Sequence, residues 1–358
     1  MADVQPFRAV RYSGAAGPLA DLVAPPYDAV DEDERARLLA RSPYNVAHLT
    51  LPESIDGAAR LYRDWLADGI LEPEDADSMW VTVETYVGPD GVERARRGLI
   101  ASLPATPYSA GRVLPHERTY SRIRDERLEL LRATRVQPEA ILLLADRPID
   151  VAVPESEPDV DVDGTRLWRI DDARGGLDVG ELLIADGHHR YESAVELGEE
   201  LGVASRIMGV VVSTDDPGLH VFPTHRFFVG RPDLRVLREG EPCSDVDEGL
   251  RRLGEVSSRQ SGAIAYRRGS VELVSGPEGD LDAALVDRHG LDGIRYTPRA
   301  DEATAAVDDG VADVAFILRE PRIDEVFAVA RSGERMPQKS TYFYPKPLSG
   351  LLFHPLDA

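Results

Sequence analysis

The run Asp186-Gly187-His188-His189-Arg190 sets a carboxylate, a glycine, two imidazoles and a guanidinium side by side. The apolar stretch Leu182-Leu183-Ile184-Ala185 precedes it, and small, apolar and acidic residues alternate from it to Leu201. This pattern predicts a strand, a sharp turn and a helix. Asp186 is suited to cap that helix, which would place Gly187, His188 and His189 in the first turn. Unpaired backbone amides and the positive end of the helix dipole point outward there, making a site for an anion such as phosphate. Asp-Gly before a helix is also ordinary turn chemistry, and single histidines are commonly satisfied structural residues. Two adjacent imidazoles and a guanidinium at one helix start are harder to explain as packing, so the run is read as functional.

A second cluster, His116-Glu117-Arg118-Thr119, follows the apolar pair Val113-Leu114 and Pro115. A carboxylate beside an imidazole suits a general base for an alcohol, and Arg118 with Thr119 suits an anion; the plainer reading is a charged, exposed turn. Of the 41 basic residues only Lys339 and Lys346 are lysines. An ammonium is a compact, rotatable point charge suited to a phosphate oxygen or a proton-transfer site. Lys339-Ser340-Thr341 would supply one cation and two hydroxyls to a phosphate, although it lacks the glycines of a P-loop. Asp28, His116, Thr224, His225, Arg226 and Lys346 are candidates to line the same cleft. Arg127, Arg132 and Arg135 fall in a helical stretch, where a solvated face is the expected reading.

At 358 residues the chain can form two or three compact lobes. Its net charge of -23 argues against a broad electrostatic footprint on DNA, RNA or an anionic membrane. Apolar runs such as Ala140 to Ala145 and Met208 to Val212 are too short to span a bilayer, and Met1 to Pro6 lacks a signal pattern, so a cytoplasmic protein is expected. The single cysteine, Cys243, excludes an internal disulfide and a thiolate metal cluster, and its acidic neighbours argue against a nucleophile.

These residues need elements to hold them. Asp33 to Ala40, Ala58 to Leu66, Asp125 to Arg135 and Arg322 to Ala330 pattern as helices; Met79 to Val87, Val210 to Ser213 and Val314 to Leu318 pattern as strands. Asn45 to Leu49 is expected to begin a further strand, and Ala24-Pro25-Pro26-Tyr27-Asp28 to form a proline-fixed extended turn. The class is mixed α/β (α+β), in three regions: 1–110, 111–228 and 229–358.

Together, Ala24-Pro25-Pro26-Tyr27-Asp28, Leu114 to Thr119, Ile184 to Tyr191, Pro223-Thr224-His225-Arg226 and Lys339 to Lys346 resemble the bacterial domain of unknown function 1015 family over essentially the whole chain. More distantly, the Glu117 segment followed by a strand and Asp-Gly-His-His-Arg is similar to the core of the ParB and sulfiredoxin superfamily, which includes free serine kinases. The resemblance implies a central core of that type at 111–228, flanked by N- and C-terminal α/β regions. It implies Glu117 as the base, with Asp186, His188, His189 and Arg190 binding and polarising the transferring phosphoryl group. The expected activity is phosphoryl transfer involving a small hydroxylated metabolite, with free L-serine leading, ADP, ATP or pyrophosphate as donor, and Mg²⁺ accompanying it. Two other readings stand beside it. One is a nucleotide-operated regulatory module of ParB type without transfer. The other is a metal hydrolase, against which adjacent histidines point about 100° apart on a helix.

Overall fold

The computed structural model describes residues 3–150, 152–171, 177–232, 234 and 240–356. The chain divides into two units: Met1–Tyr86, Glu93–Leu219 and Pro345–Ala358 form the first, and Val87–Val92 with His220–Tyr344 the second.

The first unit is built on an eight-stranded sheet. Its strands are β1 (Met79–Val87), β2 (Glu93–Pro104), β3 (Val113–Pro115), β4 (Ile141–Ala145), β5 (Val160–Val162), β6 (Thr165–Ile170), β7 (Leu182–Asp186) and β8 (Arg206–Ser213), in the order β3-β7-β4-β8-β2-β1-β6-β5. β7 runs parallel to β3, with Ile184 opposite Pro115, and antiparallel to β4; β8 runs parallel to β4. Every residue of β4 and β7 is buried, which is why both read as unbroken apolar runs rather than as an alternation.

Helices α1 (Glu32–Arg41), α2 (Ala47–Thr50), α3 (Ile55–Ala67), α4 (Ser121–Thr134) and α5 (His188–Leu201) complete this unit. Leu128 and Leu131 of α4 join Tyr191, Ala194 and Leu197 of α5 over Ile141, Leu143 and Ile184 of the sheet. The N-terminal helices close a second core around Leu38, Leu49, Trp65 and Phe353. Capping follows the sequence: the Asp31 carboxylate accepts from the Glu34 amide at the start of α1, and Ser54 from Gly57 at the start of α3.

The second unit holds a six-stranded antiparallel sheet of β9 (His225–Phe228), β10 (Glu241–Cys243), β11 (Gln260–Arg267), β12 (Ser270–Glu278), β13 (Ile294–Thr297) and β14 (Val314–Ile317), ordered β10-β12-β11-β14-β9-β13. Helices α6 (Val246–Glu255), α7 (Asp282–Asp287), α8 (Ala300–Asp308) and α9 (Ile323–Arg331) accompany it.

The chain is thus mixed α/β, and the helices and strands expected near Asp33, Ala58, Met79, Asp125, Asp186, Val210, Val314 and Arg322 are present. Three expectations differ. Asn45 to Leu49 begins α2 rather than a strand, because the fully buried Asn45 side chain accepts from the Ala47 amide and donates to the Asp21 and Val23 carbonyls, fixing a helical turn. The three-region division differs from the two units, since β1 and β2 hydrogen-bond into the same sheet as the 111–228 strands, and His354–Pro355 pairs with Val136–Gln137. Arg127 is not part of a solvated face: its guanidinium lies 4.4 Å over the Tyr27 ring and donates to the Thr50 carbonyl.

Candidate active site

The parallel strands β3 and β7 end side by side, and α5 starts two residues after β7. Gly187 makes the turn with φ 97°, a conformation that favours glycine. A Cβ there would also sit 2.5 Å from Ile141 Cγ2. Gly187, not Asp186, is the N-cap residue, and no side chain caps the helix. The Asp186 carboxylate, only 8% exposed, instead accepts from Arg190 Nη2 at 2.6 Å and pairs with Lys346 Nζ at 2.7 Å. A carboxylate withdrawn from water needs opposite charge more than it needs a helix amide, which accounts for the departure from the expected cap.

Lys346 is the bridge of this cluster, with Nζ 2.7 Å from Asp186 Oδ1 and 2.7 Å from Asp28 Oδ2. Its chain neighbour is held firmly: the Pro345 carbonyl accepts from Arg96 Nη2 at 2.6 Å, and the fully buried Arg96 pairs with Glu84. Burial works against the ammonium, but Asp186 and Asp28 outweigh it and raise the Lys346 pKa. Burial likewise works against ionised Asp186, and Lys346 and Arg190 overcome it to hold that carboxyl below its ordinary range. Arg190 also donates to the Ala140 carbonyl at 2.9 Å, beside the start of β4.

The imidazoles meet at the same strand ends. His116 Nδ1 donates to the Ile184 carbonyl at 2.8 Å, and its ring stands edge-on to His188 at 4.9 Å between centroids. His188 Nε2 faces the His116 amide at 3.4 Å, and His189 Nε2 accepts from the Tyr120 amide at 2.9 Å. Burial lowers the His189 pKa, so this ring is neutral at neutral pH. Thr119 Oγ1 donates to Glu192 of α5 at 2.7 Å, while Arg118 is exposed and Glu117 is partly buried beside His116.

The structure therefore brings together Asp28, His116, Asp186, Gly187, His188, Arg190 and Lys346, with Thr119 and His189 tied to α5 and its approach. Thr224, His225, Arg226, Lys339, Ser340 and Thr341 belong to the second unit. Arg226, with no exposed surface, donates to Asp287, the Thr224 carbonyl and the Gln338 carbonyl, and lies over Tyr296, which is the bonding of a structural arginine. His225 Nδ1 accepts from the Leu318 amide, and burial with Arg226 lowers its pKa to about 4. Ser340 donates to the Pro337 carbonyl, and Lys339 is exposed with φ 55°.

Sequence reasoning missed Glu139, which is buried and accepts from the Tyr27 amide at 3.0 Å and the Ser349 hydroxyl at 2.9 Å. Its position just before a wholly apolar strand was the available signal. Among the described residues, no group of three or more His, Cys, Asp or Glu side chains is arranged to hold a metal ion.

The model of the DUF1015 family, described as a protein of unknown function, matches residues 4–276. An ATP-dependent L-serine kinase of Staphylothermus marinus is 20% identical over 190 residues, covering 50% of this chain and 73% of that protein. Among solved structures, a free serine kinase in complex with AMP matches with a TM-score of 0.43 and 18% identity, over 72% of this chain and 92% of that one. A conserved hypothetical protein from Pyrococcus furiosus matches with a TM-score of 0.39 and 18% identity, over 69% and 93%.

Proposed function

From the premise that the chain belongs to the DUF1015 family, whose match spans most of its length, we propose that it is a phosphotransferase acting on a small hydroxylated metabolite, foremost free L-serine. The observation that carries this reading is the start of α5: a helix N-terminus capped by no side chain, at the ends of β3 and β7, beside the Asp28–Lys346–Asp186 bridge and two imidazoles. Backbone amides and helix dipole there favour a phosphoryl group. The similarity to the L-serine kinase of Staphylothermus marinus supports the choice of acceptor, and that enzyme's dependence on ATP supports a nucleotide donor, with ADP and pyrophosphate as the other candidates.

On this reading Glu117 accepts the proton of the acceptor hydroxyl as its oxygen bonds to phosphorus. The bond from phosphorus to the bridging oxygen breaks, its electron pair leaves with the donor, and the proton stays on Glu117. His188 and His189 contact the transferring group; Asp186 orients Lys346 and Arg190 toward it, while Arg118 and Thr119 hold the donor's outer phosphates. Mg²⁺ would be held chiefly by the donor's own oxygens, with Asp28, the more exposed carboxylate of the cluster, as its protein partner. The part of the first unit that carries β3, β7 and α5 would be the ParB/sulfiredoxin-like core of a cytoplasmic enzyme.

The test is calorimetric titration of ATP and ADP with Mg²⁺ into the protein and its Lys346→Met variant. Binding weakened about tenfold, the loss of roughly 1.4 kcal/mol, is expected in the variant. Equal binding by both proteins would remove Lys346 from the phosphate site.

A further inference from the structure

Three successive residues of the first unit, Pro138, Glu139 and Ala140, hold the segments that supply the charged cluster. The Pro138 carbonyl accepts from the Gly350 amide at 2.8 Å, shortly after Lys346 in the chain. Glu139 Oε1 accepts from the Tyr27 amide at 3.0 Å, next to Asp28, and from the Ser349 hydroxyl at 2.9 Å. The Ala140 carbonyl accepts from Arg190 Nη1 at 2.9 Å. One short stretch just ahead of β4 thus ties together the sources of Asp28, Lys346 and Arg190, which lie far apart in the sequence.

Glu139 is the one of the three that works through its side chain. Burying a carboxylate costs free energy unless it is hydrogen-bonded and faces opposite charge, so a buried position that only needed filling would suit an apolar residue better. A carboxylate oxygen accepts more than one hydrogen bond, and Oε1 does so from two segments at once. Burial works against the Arg190 cation, and Glu139 and Asp186 outweigh it and raise the Arg190 pKa. Reciprocal backbone bonds between Ala24 and Ser349 join the same two terminal segments, but further from Asp28. Glu139 fixes the turn at Tyr27 itself. On the other side of Lys346, the Pro345 carbonyl is held by Arg96, so the lysine is gripped from both directions along the chain.

We propose that Glu139 is a positioning residue for the phosphate-binding cluster: by accepting from Tyr27 and Ser349 at one oxygen, it sets how Asp28 and Lys346 meet beside Asp186. It acts through those groups and not on the substrate. Its hold on Lys346 stands on the geometry alone, and the consequence for phosphate binding rests on the kinase reading.

The experiment compares the full chain with Glu139→Gln, which keeps an acceptor oxygen, Glu139→Ala, which removes it, and Ser349→Ala, which removes one of its two donors; circular dichroism and melting curves check that each folds. Because Lys339 and Lys346 are the only lysines, ¹⁵N labelling of lysine Nζ gives at most two ammonium signals, and Lys339→Arg assigns them. Without nucleotide, the Lys346 signal is expected to move toward the Lys339 position in Glu139→Ala, to move less in Ser349→Ala, and to stay at the parent position in Glu139→Gln. With Mg²⁺ and ATP, calorimetric affinity is expected to fall about tenfold in Glu139→Ala and to recover in Glu139→Gln, since a misplacement of about 1 Å can cost up to about 10²-fold. A Lys346 signal unmoved in folded Glu139→Ala, or displaced equally in Glu139→Gln, overturns the positioning role, and a loss of stability with that signal unmoved marks Glu139 as structural only. If Glu139→Ala does not fold, an unmoved signal in folded Ser349→Ala overturns it instead. If the signal moves as expected but the parent neither binds nucleotide nor transfers phosphate, the hold on Lys346 survives while the kinase reading fails. If the parent transfers phosphate and Glu139→Ala binds ATP equally well, Glu139 does not position the phosphate site.

Discussion

Lys346 shows how one side chain can hold an entire site. It neutralises two carboxylates, one buried at the end of β7 and one in the turn after Pro25-Pro26, 318 residues away in the chain. Removing it leaves buried Asp186 with Arg190 alone and sets Asp28 against it. Lys346→Met is expected to cost about 3 kcal/mol of stability, at the lower end for breaking a buried pair. Adding Asp186→Asn should return part of that loss, because the uncompensated charge is then gone. Denaturant unfolding of the two single variants and the double variant measures this, and strict additivity would mean that the two groups do not interact. At this scale the sequence exposed residue types but not partners. The rarity of lysine marked Lys346, and Asp-Gly-His-His-Arg marked Asp186, but nothing local announces a contact over such a separation. The same holds for Glu139, whose partners Tyr27 and Ser349 come from opposite ends of the chain.

The element that matters most is the turn from β7 into α5. It was legible because a buried strand, a glycine and a helical alternation follow one another without a gap. The cap was misassigned because capping preference ranks Asp highly, whereas Arg190, four residues on, offers the same carboxylate a full charge. Asn45 misled similarly, since its side chain satisfies backbone groups that a strand would have paired. Gly187 provides the prediction here. Gly187→Ala must hold a positive φ and place a methyl against Ile141, so it should lose about 2 kcal/mol or more and weaken nucleotide binding through displaced α5 amides. Thermal melting and titration with ADP measure the two effects. A variant as stable as the parent would mean that Ile141 moves aside at little cost.

For the whole molecule, buried histidines contribute to the response to acid, and one with a large shift lies in each unit. His354, whose Nε2 lies 2.9 Å from Ser102 Oγ in the first unit, and His225 in the second both have pKa values lowered to about 4, chiefly by burial, against 6.5 in the unfolded chain. Between these values the unfolded chain takes up a proton that the folded chain refuses, so stability is complete above pH 6.5 and falls as pH drops toward 4. At about 1.4 kcal/mol per pKa unit, each histidine contributes up to about 3 kcal/mol of that loss. His354→Gln and His225→Asn should each flatten the dependence of melting on pH between 7 and 4.5. Unchanged slopes would assign the acid sensitivity elsewhere. Asp186 and Lys346 set wider limits. The contribution of Asp186 is present above its unfolded value of 3.8 and lost as pH falls through its lower folded value; that of Lys346 is present below 10.5 and lost as pH rises through its higher folded value. The central claim is phosphoryl transfer, and phosphorus NMR of the protein with Mg²⁺, L-serine and, in separate samples, ATP, ADP and pyrophosphate tests it most directly. An O-phosphoserine resonance that grows with the parent protein and falls by at least a hundredfold in rate with Glu117→Gln is the expected result. No product with any donor, or product formed equally by Glu117→Gln, would contradict the account.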